Sequence, residues 1–350
     1  MIKYIVKRVL QFIPVFLGVT LILFIMQNVV PGDPIKLIAG ERKMDPQTEM
    51  NIRVSHGLVE VDENGKPIYE TDENGEVVLD DAGNPVAVPT PMWKRYVTYL
   101  TDLLQGDLGT SYQRGTSVSS IILQKYPYTV QLALVAIVIE AIVGIGAGII
   151  SAIKRYSFWD ILVTLATSLM VAMPAFWFGM LLQLVFGVWL GAFPISGVAG
   201  PVSKFPDWMY YILPAITLAA VSTAYTARIM RSQLLDVMNQ DYIRTARAKG
   251  LSKGAIIRKH ALKNALIPVV TYVGMDFGAM LAGAILTETV FSWPGIGRET
   301  YLAISQRDWP IVMGSVTIIV FVVMVINLIV DVSYAFLDPR IRLGSSKNEG

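Results

Sequence analysis

Apolar and polar positions along this chain fall into long blocks. Mostly apolar runs of twenty or more residues recur at about 9–30, 128–152, 158–189, 211–230, 265–290 and 311–336. Each is long enough to cross a hydrocarbon core of about 30 Å as an α-helix. The short alternating segments of a membrane β-barrel are absent. The pattern predicts an all-α polytopic membrane protein with six transmembrane helices. The first run follows Lys3, Lys7 and Arg8, is longer than a signal-peptide core and ends in Pro31-Gly32-Asp33-Pro34, so it reads as an uncleaved span. Pro174 lies inside the third run and is expected to kink it. Gly144, Gly146, Ala147 and Gly148 make the second span rich in small residues, which permit close helix packing in lipid.

Charge then orients the spans. Residues 31–127 carry 15 Asp/Glu and 9 Lys/Arg, whereas the rest of the chain carries 12 and 20. Lys/Arg collect in cytoplasmic loops, so 31–127 is expected outside, with both termini, the Lys154-Arg155 turn and the tail at 344–350 inside. Arg228 and Arg231 mark the inner end of the fourth span, and residues 191–210 and 291–310 are outer connections. The organisation expected is a first span (1–30), an extracytoplasmic segment (31–127) and a core of spans two to six (128–343). The outer segment holds a short repeat, DENGKPIY (62–69), DENGEVVL (72–79) and DAGNPVAV (81–88). Its Asn-Gly pairs predict tight turns and a small β meander at about 59–90.

The most polar stretch between spans is Asp241–Pro268, with seven Lys/Arg against Asp241 alone. Tyr242–Lys249 are mostly good helix formers. Gly250 can take the left-handed conformation that ends a helix, and Ser252 can cap the next one. A basic inner loop needs no such ordered break. A helix–Gly–helix hairpin at about 236–264 therefore reads either as a plain topological loop or as a rigid plug for another protein. Elsewhere, ionisable groups inside spans are costly and mark candidate function. Glu140 lies mid-span two, Asp276 mid-span five and Asp331 in span six. Glu140 and Asp276, with Gln183 nearby, are candidates for a polar translocation path, with packing against neighbours as the alternative. Asp331 and Glu288, near span ends, suit structural roles.

No catalytic set stands out. The chain has no cysteine, and His56 and His260 lack companions at metal-ligand spacing. It has no G-x-x-x-x-G-K-[ST] loop to cradle a phosphate. The hairpin's basic charge follows from topology, and it is no nucleic-acid site.

The hairpin resembles the coupling segment of the integral membrane subunits of ABC importers, which reads Glu-Ala-Ala, three residues, Gly, then Leu-Pro. Here Ala246 and Gly250 match, while Arg244, Thr245 and Leu262-Lys263 depart. The departures, in YIRTARAKGLS and HALKNALIPVVT, are those of the peptide/nickel branch. PGDP, GDLGTSY (106–112), YPYTVQLALVA (126–136), ETVFSWPGIGR (288–298), RDWPIVMG (307–314) and NLIVDVSYAFLDPRIRL (327–343) resemble the first of that branch's two permease subunits. Only about 59–90 stands outside the resemblance, as an insertion that is either a docking extension or a tolerated hairpin. The resemblance implies a type I ABC importer permease fold in a bacterial or archaeal cytoplasmic membrane. It implies an oligopeptide or dipeptide cargo, with a nickel or metal-chelate importer as the alternative; a secondary transporter is the further class. The implied partners are a second permease, two ATPase subunits carrying ATP and Mg, and an external substrate-binding protein. Arg244, Thr245, Ala246, Lys249, Gly250, Leu251 and Ser252 would form the ATPase-coupling segment.

Overall fold

The computed structural model describes residues 2–29, 45–80 and 83–337. Residues Pro31–Pro34, Asp81, the 338–343 segment and the 344–350 tail lie outside the described residues. The chain divides into two compact units. One comprises residues 1–16, 123–302 and 318–350, and the other 17–122 and 303–317.

Helix α1 (Ile2–Val29) is the first span. Helix α2 (Pro46–Ser55) is capped by Asp45, whose side chain accepts the Thr48 N–H, and α3 (Met92–Leu104) follows the repeats. Span two is α4 (Val118–Ile153), with a π-helical turn at Glu140–Gly144. Next come α5 (Phe158–Ala172) and α6 (Ala175–Trp189), the latter ending in π-helical turns from Gln183. Span four is α7 (Met209–Met238). The chain continues through α8 (Asp241–Ala248), α9 (Lys253–Ala282), α10 (Ile285–Val290), α11 (Ile296–Ser305) and α12 (Trp309–Leu337). Among the described residues five helices are long and apolar enough to cross a membrane, and six when the bent pair α5 and α6 counts as one span.

That break corrects the expected kink. Pro174 disfavours the α region in the residue before it, and Met173 is extended at φ −94°, ψ 136°. The two helices meet at 110°. The second also packs tightly, because a Cβ at Gly179 would lie 2.9 Å from Thr217 Cγ2 and 3.1 Å from Phe291 Cε2.

In the larger unit, α7 is the helix around which the others pack. Gly144 and Gly148 let α4 approach it. A Cβ at Gly148 would stand 2.6 Å from Ala227 O and from Met230 Cβ, and one at Gly144 2.8 Å from Thr226 Cγ2. Lipid gives helices no hydrophobic drive to associate, so such close backbone approach supplies the packing. Gly146 faces open space instead. A second lock joins the YPYTV and ETVFSWPGIGR segments. The buried Glu288 carboxylate accepts Thr129 Oγ1–H at 2.5 Å and the Arg298 N–H at 2.9 Å. Thr129 in turn accepts the Ile296 N–H at 2.9 Å. Glycine is required at 295 and 297 because a Cβ at either would collide with that carboxylate. Trp293, fully buried, donates Nε1–H to Tyr128 O.

The smaller unit has its own buried anchor, Asp308. Its carboxylate accepts Ser111 Oγ–H at 2.5 Å and the Tyr112 and Gln113 N–H groups at 3.1 and 3.3 Å, tying the GDLGTSY segment to RDWP. The repeats differ from the expected meander. Their pairings are single bridges, such as Val61 with Pro67 and Thr71 with Val77, and no strand forms among the described residues. Backbone bonds close into two rings of three. Glu60 N–H donates to Val88 O, Val88 to Ile68 and Ile68 to Glu60, all at 2.8–2.9 Å, and Glu70, Val86 and Val78 repeat the cycle. The third repeat begins at Asp80 rather than Asp81, since Asp80, like Asp62 and Asp72, takes the Gly N–H three residues on. Gly65, Gly75 and Gly83 have φ of 77–83°, so each turn is a three-residue loop with a left-handed glycine and not the two-residue Asn-Gly turn. The Lys66 and Glu76 N–H groups, followed by those of Asn64 and Asn74, hold the Asp62 and Asp72 carboxyls below the ordinary range.

The glycine packing gives a paired prediction. Gly148→Leu is expected to destabilise the protein by about 1–3 kcal/mol or more through overpacking, while Gly146→Leu stays within roughly 0.5 kcal/mol. Thermal unfolding of both variants in detergent checks this, and equal shifts would contradict the assigned contact.

Candidate functional site

The basic hairpin is an elbow built from helix α8 and the start of α9. Gly250 has φ +79°, and nothing lies within 4 Å of where a Cβ would stand, so backbone handedness alone demands glycine there. Ser252 Oγ accepts the Ala255 N–H at 3.4 Å and starts α9. The second arm is no separate short helix. It passes through a π-helical turn at Ile257–Ala261 straight into the fifth span. Ile243 and Ala246 of α8 are buried with Met230 and Leu234 of α7 and Ile256, Ala261 and Ala265 of α9. Asn264 Nδ2 donates to Tyr242 Oη at 2.9 Å and fastens the arms. Lys249, Gly250, Leu251 and Ser252 form the exposed tip, with Leu251 40% exposed. Arg244 and Thr245 are exposed on the outer side of α8.

Above the elbow, α7 carries a half-buried ion pair. Arg231 donates Nε–H and Nη2–H to Asp160 at 2.8 and 2.9 Å, a two-pronged contact. Ser151 Oγ bonds the same carboxylate and the Tyr156 N–H donates to it at 2.9 Å. The carboxylate thus fixes the turn between α4 and α5, in which Tyr156 has φ +62°. Arg228, one turn away on α7, points along α5 instead. Its Nε–H and Nη2–H reach Thr167 and Ser168 hydroxyls at 3.3 and 3.1 Å. Both arginines border a cavity of about 340 Å³ that is also lined by Thr164 and Ser232.

The acids sit on another side of α7. Glu140 is fully buried, and its Oε1 accepts Thr226 Oγ1–H at 2.5 Å. Asp276 of α9 lies beside it, close enough for the two carboxyls to interact. Glu140 Oε2 and Asp276 Oδ2 have no hydrogen-bond partner among the described residues.

A family model for the inner membrane component of binding-protein-dependent transport systems matches residues 144–343, a stretch that includes the elbow and the groove. The chain belongs to this family. It is 36% identical to the di/tripeptide transport system permease protein DppB of Pseudomonas aeruginosa, over 98% of this chain and 99% of that one. It is 37% identical to the oligopeptide transport system permease protein AppB of Bacillus subtilis, over 97% and 99%. A solved chain of the inward-facing MetNI methionine ABC transporter shares the fold with a TM-score of 0.51 at 15% identity, covering 62% of this chain and 96% of that chain.

As an inner membrane component of such a system, the permease is a multi-pass protein whose elbow was legible in its sequence at Gly250 and Ser252. The structure refines its residues. Ala246 turns inward and packs the elbow, so the surface offered at the tip is Lys249–Ser252. Glu140 and Asp276 are brought together. Gln183 is not with them, for its amide donates to Ile195 O at 2.8 Å and Val290 O at 3.1 Å and fastens the outer loop. Asp331 pairs with Arg8 at 3.2 Å, which sets the start of α1 beside the end of α12. Arg228, read from the sequence only as an end marker, and Thr167 with Ser168 were missed. Their signal was present as adjacent hydroxyls, with Thr164 one turn before, in a helix that is mostly apolar after Asp160.

The Asp160 clamp is testable. Asp160→Ala leaves the Arg231 guanidinium, the Tyr156 N–H and Ser151 without their acceptor, and is expected to cost about 1–3 kcal/mol. Asp160→Asn, which keeps one acceptor oxygen, is expected to cost less. Thermal unfolding of the purified permease measures both.

Proposed function

We propose that this chain is one membrane-spanning half of an ATP-driven importer of dipeptides or oligopeptides. The observation that carries the reading is the likeness, over nearly the whole of both chains, to permeases named for di/tripeptide and oligopeptide transport. A second, similar permease chain completes the path, two ATPase subunits with ATP and Mg2+ supply the energy, and an external binding protein delivers the cargo. Hydrolysis belongs to the ATPases, because this chain has no phosphate-cradling loop of its own. The elbow and both termini face the cytoplasm, where the Lys/Arg-rich connections belong.

The elbow is the part that fits a partner. Its tip is exposed and carries a glycine, so a partner's backbone can approach closely. Its first arm is buried against α7 and its second runs on as α9, so a push on the tip reaches two spans at once. An ATPase dimer that closes on ATP would shift the spans from inward-open to outward-open, and the binding protein must favour that same state, since a ligand moves an equilibrium only through differential affinity. Of the two readings of Glu140 and Asp276, packing fits this arrangement, since Glu140 is fully buried against Thr226 between α4 and α7.

The chain contains no cysteine, which makes the test clean. Single cysteines at Lys249 or Leu251 are expected to cross-link to the ATPase subunit in the assembled complex, with a yield that changes when ATP is added. Absence of any cross-link from both positions would overturn the coupling role.

A further inference from the structure

The groove between α5 and α7 has no role in the coupling described above. On α7, Tyr225, Arg228, Ser232 and Asp236 are exposed and fall on one helical face at spacings of three and four. Thr164 and Ser168 of α5 are exposed beside them. The other uncovered faces of the neighbouring spans are apolar, for example Ile142, Val143 and Ile150 of α4 and Leu162, Leu165 and Leu169 of α5. Lipid suits those faces. It does not suit a stripe with a guanidinium and hydroxyls, because charged groups within spans face water-filled cavities or partners.

Arg228 is the chemically distinctive member. Arg231, three residues on, is neutralised by Asp160. Arg228 has no carboxylate partner among the described residues and is held only by the Thr167 and Ser168 hydroxyls. Its side chain runs away from Asp160, toward residues about 10 Å further along α5. Long cationic side chains near span ends usually reach for the nearer water interface, and this one reaches inward along the span. The result is an uncompensated planar donor beside a cavity of about 340 Å³, large enough for a small anionic group and its water. Guanidinium donors match carboxylates in geometry and charge. Thr226, which bonds Glu140, lies two residues from Arg228 and therefore on the opposite side of α7, so this groove is separate from the acid pair.

We propose that Arg228, oriented by Thr167 and Ser168, is a carboxylate-binding subsite of the translocation path that engages the free C-terminal carboxylate of a passing peptide. The proposal rests on the peptide-importer reading. A peptide released between the permeases exchanges water at its carboxylate for the guanidinium, and the hydroxyls keep the cation aimed into the groove between passages. The contact is a charge-assisted hydrogen bond, and one ionic partner there leaves a strong dependence on cargo charge.

The test uses the complete reconstituted importer with its binding protein, and compares one peptide with its C-terminal amide. The ratio of their transport rates is measured in wild type and in Arg228→Cys, so that any preference of the binding protein cancels between the two. The free-to-amide ratio is expected to fall by about tenfold in the variant, as for loss of a charge-assisted hydrogen bond. Treating the same assembled variant with an aminoethyl methanethiosulfonate should restore much of the ratio, while a neutral methyl reagent should not. A variant that slows both cargoes alike, or reagents that act alike, would overturn the subsite and point to a packing or lipid-phosphate role for Arg228. A wild-type complex that carries neither cargo would sink the importer reading itself.

Discussion

Everything in the larger unit depends on how closely span two can approach α7. Lipid is as apolar as the side chains that meet in it, so burial against lipid gains little and contact geometry must hold the helices together. Gly144 and Gly148 remove the Cβ atoms that would otherwise strike Thr226, Ala227 and Met230. Once α4 lies on α7, Glu140 meets Thr226 and the Ser151–Asp160–Arg231 cluster can close. That cluster sets the turn into α5, and the direction of α5 in turn makes the groove beside Arg228. Two missing side chains therefore condition both the packing and the proposed chemistry.

The same helix links groove and elbow. Residues of α7 near Met230 and Leu234 form the bed on which Ile243 and Ala246 of α8 lie. Two residues, Asn239 and Gln240, separate α7 from α8, leaving little chain to absorb movement. On the other arm, the π-helical turn at Ile257–Ala261 interrupts regular spacing without breaking the helix. A force applied at Lys249–Ser252 is transmitted by packed side chains and continuous backbone. Coupling of this kind needs an element that moves as one body between two arrangements.

Much of this was legible in the sequence, and the failures have physical causes. Spans are legible because crossing lipid requires about twenty apolar residues, and the elbow because Gly250 and Ser252 act locally on their own backbone. The size of the break at Met173–Pro174 was not, since proline stops a helix while the angle depends on distant packing of Gly179 against Thr217 and Phe291. The register of the third repeat was misread at Asp81 because the residue that matters, Asp80, is identified by which amide it accepts. Gln183 looked like a polar intruder in a span, and only the fold shows that a loop carbonyl at Ile195 and the carbonyl of Val290 at the end of α10 consume its amide. Glu288 and Gly295 depend on one another through space, which a single sequence does not reveal.

If the elbow transmits force in this way, it moves as one rigid body with the spans it joins and with α4, which packs closely on α7. Spin labels at Lys249 and at Gly146, whose surroundings are open, report this by pulsed electron–electron distance measurement in the reconstituted complex. Rigid-body motion predicts one narrow distance distribution that is the same without nucleotide and with ATP, while transport proceeds. A distribution that broadens, or that shifts when ATP binds, would mean that the elbow flexes against α4, and would contradict rigid coupling.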